Sequence, residues 1–332
     1  MKSQRFGIEI EMTGITRATA ARVIAGHFNT TATHVGGGYD TYSVRAPDGR
    51  QWNLVRDQSI HRRNSRGYTD RHEYSVEMVS PICTYEDIGT IQELVRKLRM
   101  AGAKVNDSCG IHVHVDASKH DVKTLRNLVN IMASKEDLLY KALNVEVERE
   151  RYCKKVDVRF LEELNRKRPK QMVDLEDLWY EGYGYNRHAH YNNSRYRALN
   201  LHSVFTKGTV EFRLFNSTLH AGEVKSYIQL CLAINAQALK QKCASRAKTQ
   251  SPNEKYTFRT WLLRLGMIGD EFKTARGHLL KKLDGNIAWK DPAQAEAQRE
   301  RLAENRRLQE ERQSAEEMEE TEDEAPAFEM TM

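Results

Sequence analysis

Apolar and polar residues alternate along several short segments, which predicts strands. Between residues 5 and 12, apolar side chains at even positions alternate with Gly7, Glu9 and Glu11, so this strand has one apolar face. A turn signal at Pro47-Asp48-Gly49 divides residues 41–56 into a predicted hairpin. Further strands are predicted over residues 72–79, 109–116, 199–205 and 209–215, the last two joined by Thr206-Lys207-Gly208.

Helical spacing of apolar residues fills much of the remaining sequence. Thr84 and Asp87 form a predicted capping box, which opens a helix that ends near Gly102. Residues 180–197 lack any period and are predicted to be a long loop. Because strict β-α alternation is absent, the order of elements indicates an α+β fold with a curved, mainly antiparallel sheet and flanking helices. The other predicted helices cover residues 16–28, 121–151, 221–242, 256–266 and 270–283.

Charge is distributed unevenly along the 332 residues, whose formal net charge is +6. Residues 290–332 contain 6 basic and 14 acidic residues, a net charge of −8, whereas residues 1–289 contain 46 and 32, a net charge of +14. The final segment lacks an apolar stripe, which is typical of a charged helix that grades into disorder. We therefore predict one domain over residues 1–289 and a charged, net acidic helical or disordered tail over residues 290–332.

The apolar residues are dispersed through the chain. No stretch approaches the roughly 18 to 20 consecutive apolar residues of a membrane helix, and the segment that opens the sequence is not an apolar signal. We therefore expect a soluble, cytoplasmic protein with no membrane partner. The basic body favours anionic partners such as nucleotides, phosphorylated intermediates or nucleic acid.

Ionisable side chains recur on one face of four predicted strands. Because alternate residues of a strand share a face, about 6.6 Å apart, two glutamates of one strand can reach two cations that lie about 3.5 to 4 Å apart. Ligation that is rich in carboxylates, with an imidazole added, favours Mg or Mn. The groups are Glu9 with Glu11, Glu73 and Glu77 around Ser75, His112 with His114, and Glu211 with Arg213.

Four of these segments, in this order, resemble the putative amidoligase family. That family belongs to the carboxylate–amine ligases with a glutamine synthetase-like fold, and it is related to the glutamate–cysteine ligases. The resemblance covers about residues 4–240 and implies a glutamine synthetase-like catalytic core. The segments are Phe6-Gly7-Ile8-Glu9-Ile10-Glu11, Val76-Glu77-Met78-Val79-Ser80-Pro81, Gly110-Ile111-His112-Val113-His114 and Val210-Glu211-Phe212-Arg213.

The resemblance also implies a role for each matching residue. Glu9 and Glu11 would bind separate cations, Glu77 would join the Glu11 cation, and His112 and Glu211 would complete the Glu9 cation. Whether Glu73 or Glu77 is the ligand of the second strand stays open. Arg213 and Glu211 would be catalytic, ATP would be held by Arg213, Arg197 and His114, and the substrate would contact Asp57, Ser59 and Ser80.

The activity implied by the resemblance is the ATP-dependent joining of a carboxylate to an amine through an acyl phosphate, with two Mg or Mn ions. Peptides and amino acids are candidate substrates, and a homo-oligomer is a candidate assembly. The competing hypothesis is a non-catalytic protein of the same fold, whose basic body and loop arginines hold nucleic acid or a protein assembly. Steep salt dependence of nucleic-acid affinity is typical of that alternative.

Simpler interpretations of these residues stay open. The glutamates of the first strand could instead lie on the solvated face of an edge strand. The two histidines could be hydrogen-bonded within a sheet. Glu211 and Arg213 suit a cross-strand salt-bridge set. The loop over residues 180–197 suits a lid over ATP, an amine-substrate site, a nucleic-acid contact or an ordinary mobile loop.

Overall fold

The computed structural model describes the backbone of residues 1–184 and 186–323, with their side chains except those of Pro292 and of residues 315–323. Two compact units are distinguished. The first consists of Met1–Thr249 and Phe258–Leu283, and the second of Gln250–Thr257 and the chain from Asp284 onward. Residues 324–332 of the predicted tail lie outside the described residues.

Ten strands are present in the described residues. They are β1 (Phe6–Met12), β2 (Ala32–Gly36), β3 (Thr41–Arg45), β4 (Gln51–Val55), β5 (Arg63–Asn64), β6 (Gly67–Tyr68), β7 (Val76–Val79), β8 (Gly110–Asp116), β9 (Leu199–Asn200) and β10 (Thr209–Asn216). Eight of them form one sheet in the order β2-β3-β4-β7-β1-β8-β10-β9, while β5 and β6 form a separate hairpin. Every neighbouring pair in the large sheet is antiparallel.

The helices of the described residues are α1 (Arg17–Phe28), α2 (Ile88–Met100), α3 (Val122–Leu143), α4 (Val147–Glu150), α5 (Val158–Lys167), α6 (Met172–Tyr180), α7 (His202–Lys207), α8 (Ala221–Lys240), α9 (Glu254–Arg264), α10 (Lys273–Leu280) and α11 (Pro292–Asp323). Short 3-10 turns cover His72–Tyr74, Tyr85–Asp87, Asn193–Arg195 and Asp270–Phe272. Within the described ranges, no helix combines the length and apolar character that crossing a bilayer requires.

One face of the large sheet packs into the hydrophobic core. On β1 the even-numbered side chains are buried among apolar residues of α1, α2, α3 and α8. The alternation that predicted this strand therefore reflects its two faces, because residues at odd positions turn away from the helices. The α+β class, with a large antiparallel sheet and flanking helices, is confirmed.

The predicted capping box is present. The Thr84 side chain accepts a hydrogen bond from the Asp87 backbone N–H. In return, the Thr84 N–H donates to Asp87 Oδ2 over 2.7 Å. The helix predicted over residues 121–151 is shorter than expected. Asn144 adopts the left-handed conformation, with φ of 49°, and this ends α3 before the separate turn of α4.

Two strand predictions were wrong in part. The segment predicted as a strand over 199–205 leaves the sheet after β9, because Asn200 Oδ1 accepts a hydrogen bond of 2.9 Å from the His202 N–H and the chain turns into α7. The segment over 72–79 begins as a 3-10 turn instead of a strand. There the buried guanidinium of Arg17 donates to the carbonyls of His72 and Ser75, each over 2.6 Å.

Candidate active site

Strand register brings the predicted ionisable residues together. Glu9 of β1 lies opposite His112 of β8, and Glu11 of β1 lies opposite Glu77 of β7. On the other side of β8, Glu211 of β10 lies opposite His114. Since β7, β1, β8 and β10 are neighbours, these side chains share the sheet face that turns away from the helices.

The side chains form two potential cation-binding groups that share one imidazole. Glu9, His112 and Glu211 form one group, and Glu11, Glu77 and His112 form the other, with the ligand atoms of each group within 4.8 Å of one another. His112 Nδ1 lies 3.0 Å from Glu9 Oε2 and 3.8 Å from Glu211 Oε1. His112 Nε2 lies 3.9 Å from Glu11 Oε1. The imidazole therefore stands between the two sets of carboxylates.

Most of the cluster is buried, whereas Glu9 and Glu77 are half-buried. Glu11 is 4% exposed, Glu211 2%, His112 5% and Arg213 5%. The solvated-face interpretation does not fit this burial, and it also fails because β1 lies between β7 and β8 instead of at an edge. Buried charges are costly unless they are paired, hydrogen-bonded or bound to a metal.

Glu211 is held as an anion by two donors. Arg213 Nη1 donates to Glu211 Oε1, and Asn200 Nδ2 donates to Glu211 Oε2 over 2.7 Å. Burial raises the pKa of Glu211, but the charges of Arg213 and of the two histidines outweigh it and lower that pKa. Arg213 Nε is buried and has no hydrogen-bond partner among the described residues, so one donor of this guanidinium is left for another group.

His114 and Glu9 form a second charged pair. His114 Nε2 lies 3.3 Å from Glu9 Oε1 without hydrogen-bond geometry, while Nδ1 lies 3.0 Å from Thr209 Oγ1. Burial lowers the pKa of His114, but Glu211 and Glu9 raise it above its ordinary value. Burial raises the pKa of Glu9, but His114 and His112 outweigh it and hold that pKa well below its ordinary value.

Nearby arginines compensate only in part for the burial of Glu11 and Glu77. Burial and the nearby Asp57 raise the pKa of Glu11 to about 8, although Glu11 Oε2 accepts a hydrogen bond of 2.6 Å from the Gly110 N–H. Burial together with Glu9 and Glu11 raises the pKa of Glu77 well above its ordinary value. Burial and Arg213 lower the pKa of His112 to about 4, so its imidazole is neutral near pH 7 and free to ligate.

Glu73 is not part of this cluster. It lies in the 3-10 turn before β7, where its carboxylate accepts a hydrogen bond of 2.6 Å from Arg71 Nε. The structure thus places Glu77, and not Glu73, beside Glu11.

A β-bulge positions Arg213. The register between β10 and β8 shifts between Phe212 and Phe215. The buried Arg149 bridges this irregularity, since its Nη1 donates to the Phe215 carbonyl and its Nη2 to the Arg213 carbonyl over 3.3 Å. Neither Arg149 nor Asn200 was predicted, and neither belongs to a sequence motif that could have identified it.

The predicted substrate residues lie on two sides of the cluster. Asp57 raises the pKa of both Glu11 and Glu77, and its Oδ1 accepts hydrogen bonds of 2.6 Å from the N–H and the hydroxyl of Ser59. Ser80 Oγ accepts from the Ile8 N–H over 2.9 Å. Ser80 also lines a cavity of about 370 Å³ to which Glu9, His114, Lys207 and Thr209 contribute.

A second cavity, of about 230 Å³, opens beside Glu211. The loop predicted over residues 180–197 contributes His188, His190 and Arg195 to its walls, and α7 contributes Lys207. The loop also reaches across to the β2–β3 turn, where the Tyr191 and Tyr39 hydroxyls lie 3.1 Å apart. Asn193–Arg195 forms a 3-10 turn within this loop, and Tyr185 lies outside the described residues.

Arg197 is not brought into the cluster. Its Nη2 lies 3.0 Å from Asp157 Oδ2 and 2.7 Å from the Tyr183 hydroxyl. These three residues line a separate cavity of about 640 Å³, whose described walls include none of the clustered carboxylates or histidines.

Comparison with known proteins gives one family. The model of a family described as putative amidoligase enzyme matches residues 2–235, a range that contains every residue of the cluster. A search of curated proteins found no match.

Proposed function

Since the chain belongs to the family described as putative amidoligase enzyme, we propose that it is an ATP-dependent ligase that joins a carboxylate to an amine. One observation carries this proposal. Two groups of carboxylate ligands share His112 on adjacent strands, with the Arg213 guanidinium at their side. The first group is the Glu9 cation set that the resemblance implies, and the second adds His112 to the implied pair of Glu11 and Glu77. Both groups support a glutamine synthetase-like catalytic core over the first unit.

The donor set suits two Mg or Mn ions. Carboxylates supply four of the five candidate ligands, and hard cations prefer oxygen, while a single imidazole is well tolerated by Mn. The raised pKa values of Glu11 and Glu77 mark carboxylates whose burial and repulsion by neighbouring carboxylates outweigh the nearby arginine charge. When bound, the ions would neutralise charge on the phosphates of ATP and on the phosphoryl group in transfer.

The reaction follows from the weakness of a carboxylate as an electrophile. A carboxylate oxygen first attacks the γ-phosphorus of ATP, the bond to the β-phosphate oxygen breaks, and ADP leaves. The resulting acyl phosphate carries a good leaving group. The amine nitrogen then attacks the carbonyl carbon, the C–N bond forms, inorganic phosphate departs with the electrons of the C–O bond, and the nitrogen loses a proton.

Arg213 is the residue that we assign to the transferred phosphoryl group. Its Nη1 is fixed by Glu211, its backbone is fixed by Arg149, and its buried Nε has no partner in the described chain. A guanidinium held in advance contributes charge stabilisation without reorganising during the reaction. Glu211 both orients this arginine and joins the Glu9 cation group.

The two cavities beside the cluster suit ATP and the acceptor substrate. The walls of the cavity beside Glu211 carry His188, His190, Arg195 and Lys207, which favours the phosphates of ATP. His114, whose Nε2 has no hydrogen-bond partner among the described residues, lines the cavity to which Ser80 contributes. We propose Ser80, Asp57 and Ser59 as contacts to the acceptor substrate. A contact of Arg197 with ATP, which the resemblance implies, stays a prediction that an Arg197 variant can test.

Hydroxylamine trapping tests the proposed reaction. An acyl phosphate reacts with hydroxylamine to give a hydroxamate and inorganic phosphate, so a library of carboxylates can be screened with ATP and Mg or Mn before the natural amine is known. We expect hydroxamate from the parent and from Glu73→Gln, and none from Glu9→Gln. Absence of hydroxamate and of ATP consumption in all three, combined with nucleic-acid binding that is steeply salt-dependent and unchanged in Glu9→Gln, would support the non-catalytic alternative instead.

A further inference from the structure

Three potential metal ligands meet outside the sheet cluster, at the start of α8. His220 is the N-cap residue of α8, Glu223 lies in its first turn, and His278 lies on α10, which packs against α8. One ligand atom from each of the three lies within 4.8 Å of the other two. His278 is beyond the residues that the family model matches, so membership of the family does not account for this group.

The carboxylate of this group is already oriented. Thr218 Oγ1 accepts a hydrogen bond of 3.1 Å from the His220 N–H and donates one of 2.7 Å to Glu223 Oε2. The other carboxylate oxygen, Glu223 Oε1, lies 4.0 Å from His278 Nδ1. A hydroxyl that holds one oxygen of a ligating carboxylate is the kind of outer contact that fixes ligand geometry in metal sites.

The nitrogen and oxygen atoms lie slightly farther apart than two ligands of one zinc ion. At 4.0 Å, Glu223 Oε1 and His278 Nδ1 are too far apart for a hydrogen bond. Tetrahedral zinc with bonds of about 2.0 to 2.2 Å places two ligand atoms about 3.4 Å apart. A small rotation of the Glu223 or His278 side chain would therefore bring both atoms onto a single ion.

Gly222 provides the space for the imidazoles. A Cβ atom at this position would lie 2.8 Å from His278 Nε2 and 3.0 Å from His220 Cε1. The two rings lie 4.9 Å apart between centroids, at an interplanar angle of 63°. A larger residue in the first turn of α8 would push one imidazole away from the other.

We propose that His220, Glu223 and His278 bind one Zn²⁺ ion, with a fourth position open to water or another ligand. Two imidazoles and one carboxylate form a donor set that zinc uses in proteins, and nitrogen-rich ligation distinguishes this site from the carboxylate-rich sheet cluster. The ion would join α10 to the start of α8, the helix that packs against β8. This inference does not depend on the proposed ligase activity.

Zinc titration of the full chain tests the site. A Glu9→Gln, Glu11→Gln double variant removes ligands of the sheet cluster. Zinc that this variant binds can therefore be counted separately from zinc bound by the sheet cluster. In this background we expect one Zn²⁺ per chain by calorimetry and by elemental analysis. His278→Gln should weaken that binding by at least about tenfold, the lower end of what outer-shell changes alone cost. Zinc stoichiometry and affinity unchanged by His278→Gln would overturn the proposal.

Matched variants separate ligand loss from misfolding. His220→Asn removes an imidazole but keeps a good N-cap, so it should weaken zinc binding with little change in metal-free stability. His27→Gln is the control, because His27 lies 3.7 Å from Glu93 Oε2 in a pair outside the proposed triad. We expect zinc to raise the thermal midpoint of the background and of the His27→Gln variant, but not of the two triad variants. An equal rise in all four would contradict the assignment.

Discussion

Gly110 lies directly against the guanidinium of Arg149, so that a Cβ atom at position 110 would stand 2.7 Å from Arg149 Cζ. The glycine begins β8, and its N–H also donates to Glu11 Oε2 over 2.6 Å. Arg149 in turn donates to the backbone carbonyls of the bulge that carries Arg213. One small residue therefore links the position of a candidate cation ligand to that of the candidate catalytic arginine.

Gly110→Ala should displace Arg149 and disturb the bulge. Forcing an extra methyl group into a packed site typically costs about 1 to 3 kcal/mol, and we expect a loss of stability in that range together with a loss of ATP turnover. Gly7→Ala is the matched control, because the nearest atom to its added Cβ is Ser80 Oγ at 3.8 Å. Urea denaturation of both variants makes the comparison, and equal stability of the two would show that Arg149 adjusts without consequence.

Arg213→Lys tests whether the positive charge of Arg213 is sufficient or whether the geometry of its guanidinium is also required. Lysine keeps a positive charge beside Glu211 but lacks the planar fork of donors, so Mn²⁺ affinity should change little. Loss of a donor to the phosphoryl group should lower ATP turnover by about 10²- to 10³-fold. Arg197→Lys should lower it by less than about tenfold, because Arg197 lies in the separate cavity with Asp157. Similar losses in the two variants would place both arginines at the phosphates.

Mn²⁺ affinity should rise with pH. Glu11, with a pKa of about 8, is largely protonated at pH 6, and a cation that binds it must displace that proton. Apparent affinity should therefore increase by up to about tenfold per pH unit for each proton displaced, and level off above about pH 8. Calorimetry between pH 6 and 9 measures the slope. A flat profile in the parent would mean that Glu11 is ionised before the metal arrives.

Glu11→Gln should stabilise the metal-free protein at alkaline pH. The pKa of Glu11 is raised from 4.5 to about 8 in the folded state, so the proton favours folding. This contribution is fully present below about pH 4.5 and is lost as the pH rises through about 8. The thermal midpoint of the variant should therefore exceed that of the parent at pH 8.5 and approach it near pH 5. A difference that does not vary with pH would contradict the raised pKa, and saturating Mn²⁺ should remove the difference by stabilising the parent.

The sequence was sufficient to predict which residues of β1 share a face. Alternation is a local property of extended backbone, and the buried side chains at positions 8 and 10 leave Glu9 and Glu11 on the opposite face. Register is different, because it depends on pairing between distant segments. That Glu9 lies opposite His112, 103 residues away, follows from the assembled sheet.

Residues whose role depends on a local irregularity of the fold could not be predicted from the sequence pattern. Arg149 is recognisable only once the bulge of β10 exposes the carbonyls of Arg213 and Phe215. The sequence predicts Asn200 within a longer strand, whereas in the structure its side chain both caps the turn into α7 and donates to Glu211. In both cases a polar side chain satisfies backbone or carboxylate groups that only the fold brings near.

Calorimetric titration of a non-hydrolysable ATP analogue, with and without Mn²⁺, decides whether the sheet cluster is a nucleotide and cation site. We expect binding to the parent that requires Mn²⁺, and loss of that binding in Glu9→Gln but not in Glu73→Gln, whose carboxylate pairs with Arg71 outside the cluster. Binding of the analogue that is independent of Mn²⁺ and equal in all three proteins would contradict the assignment of the sheet cluster as the nucleotide and cation site.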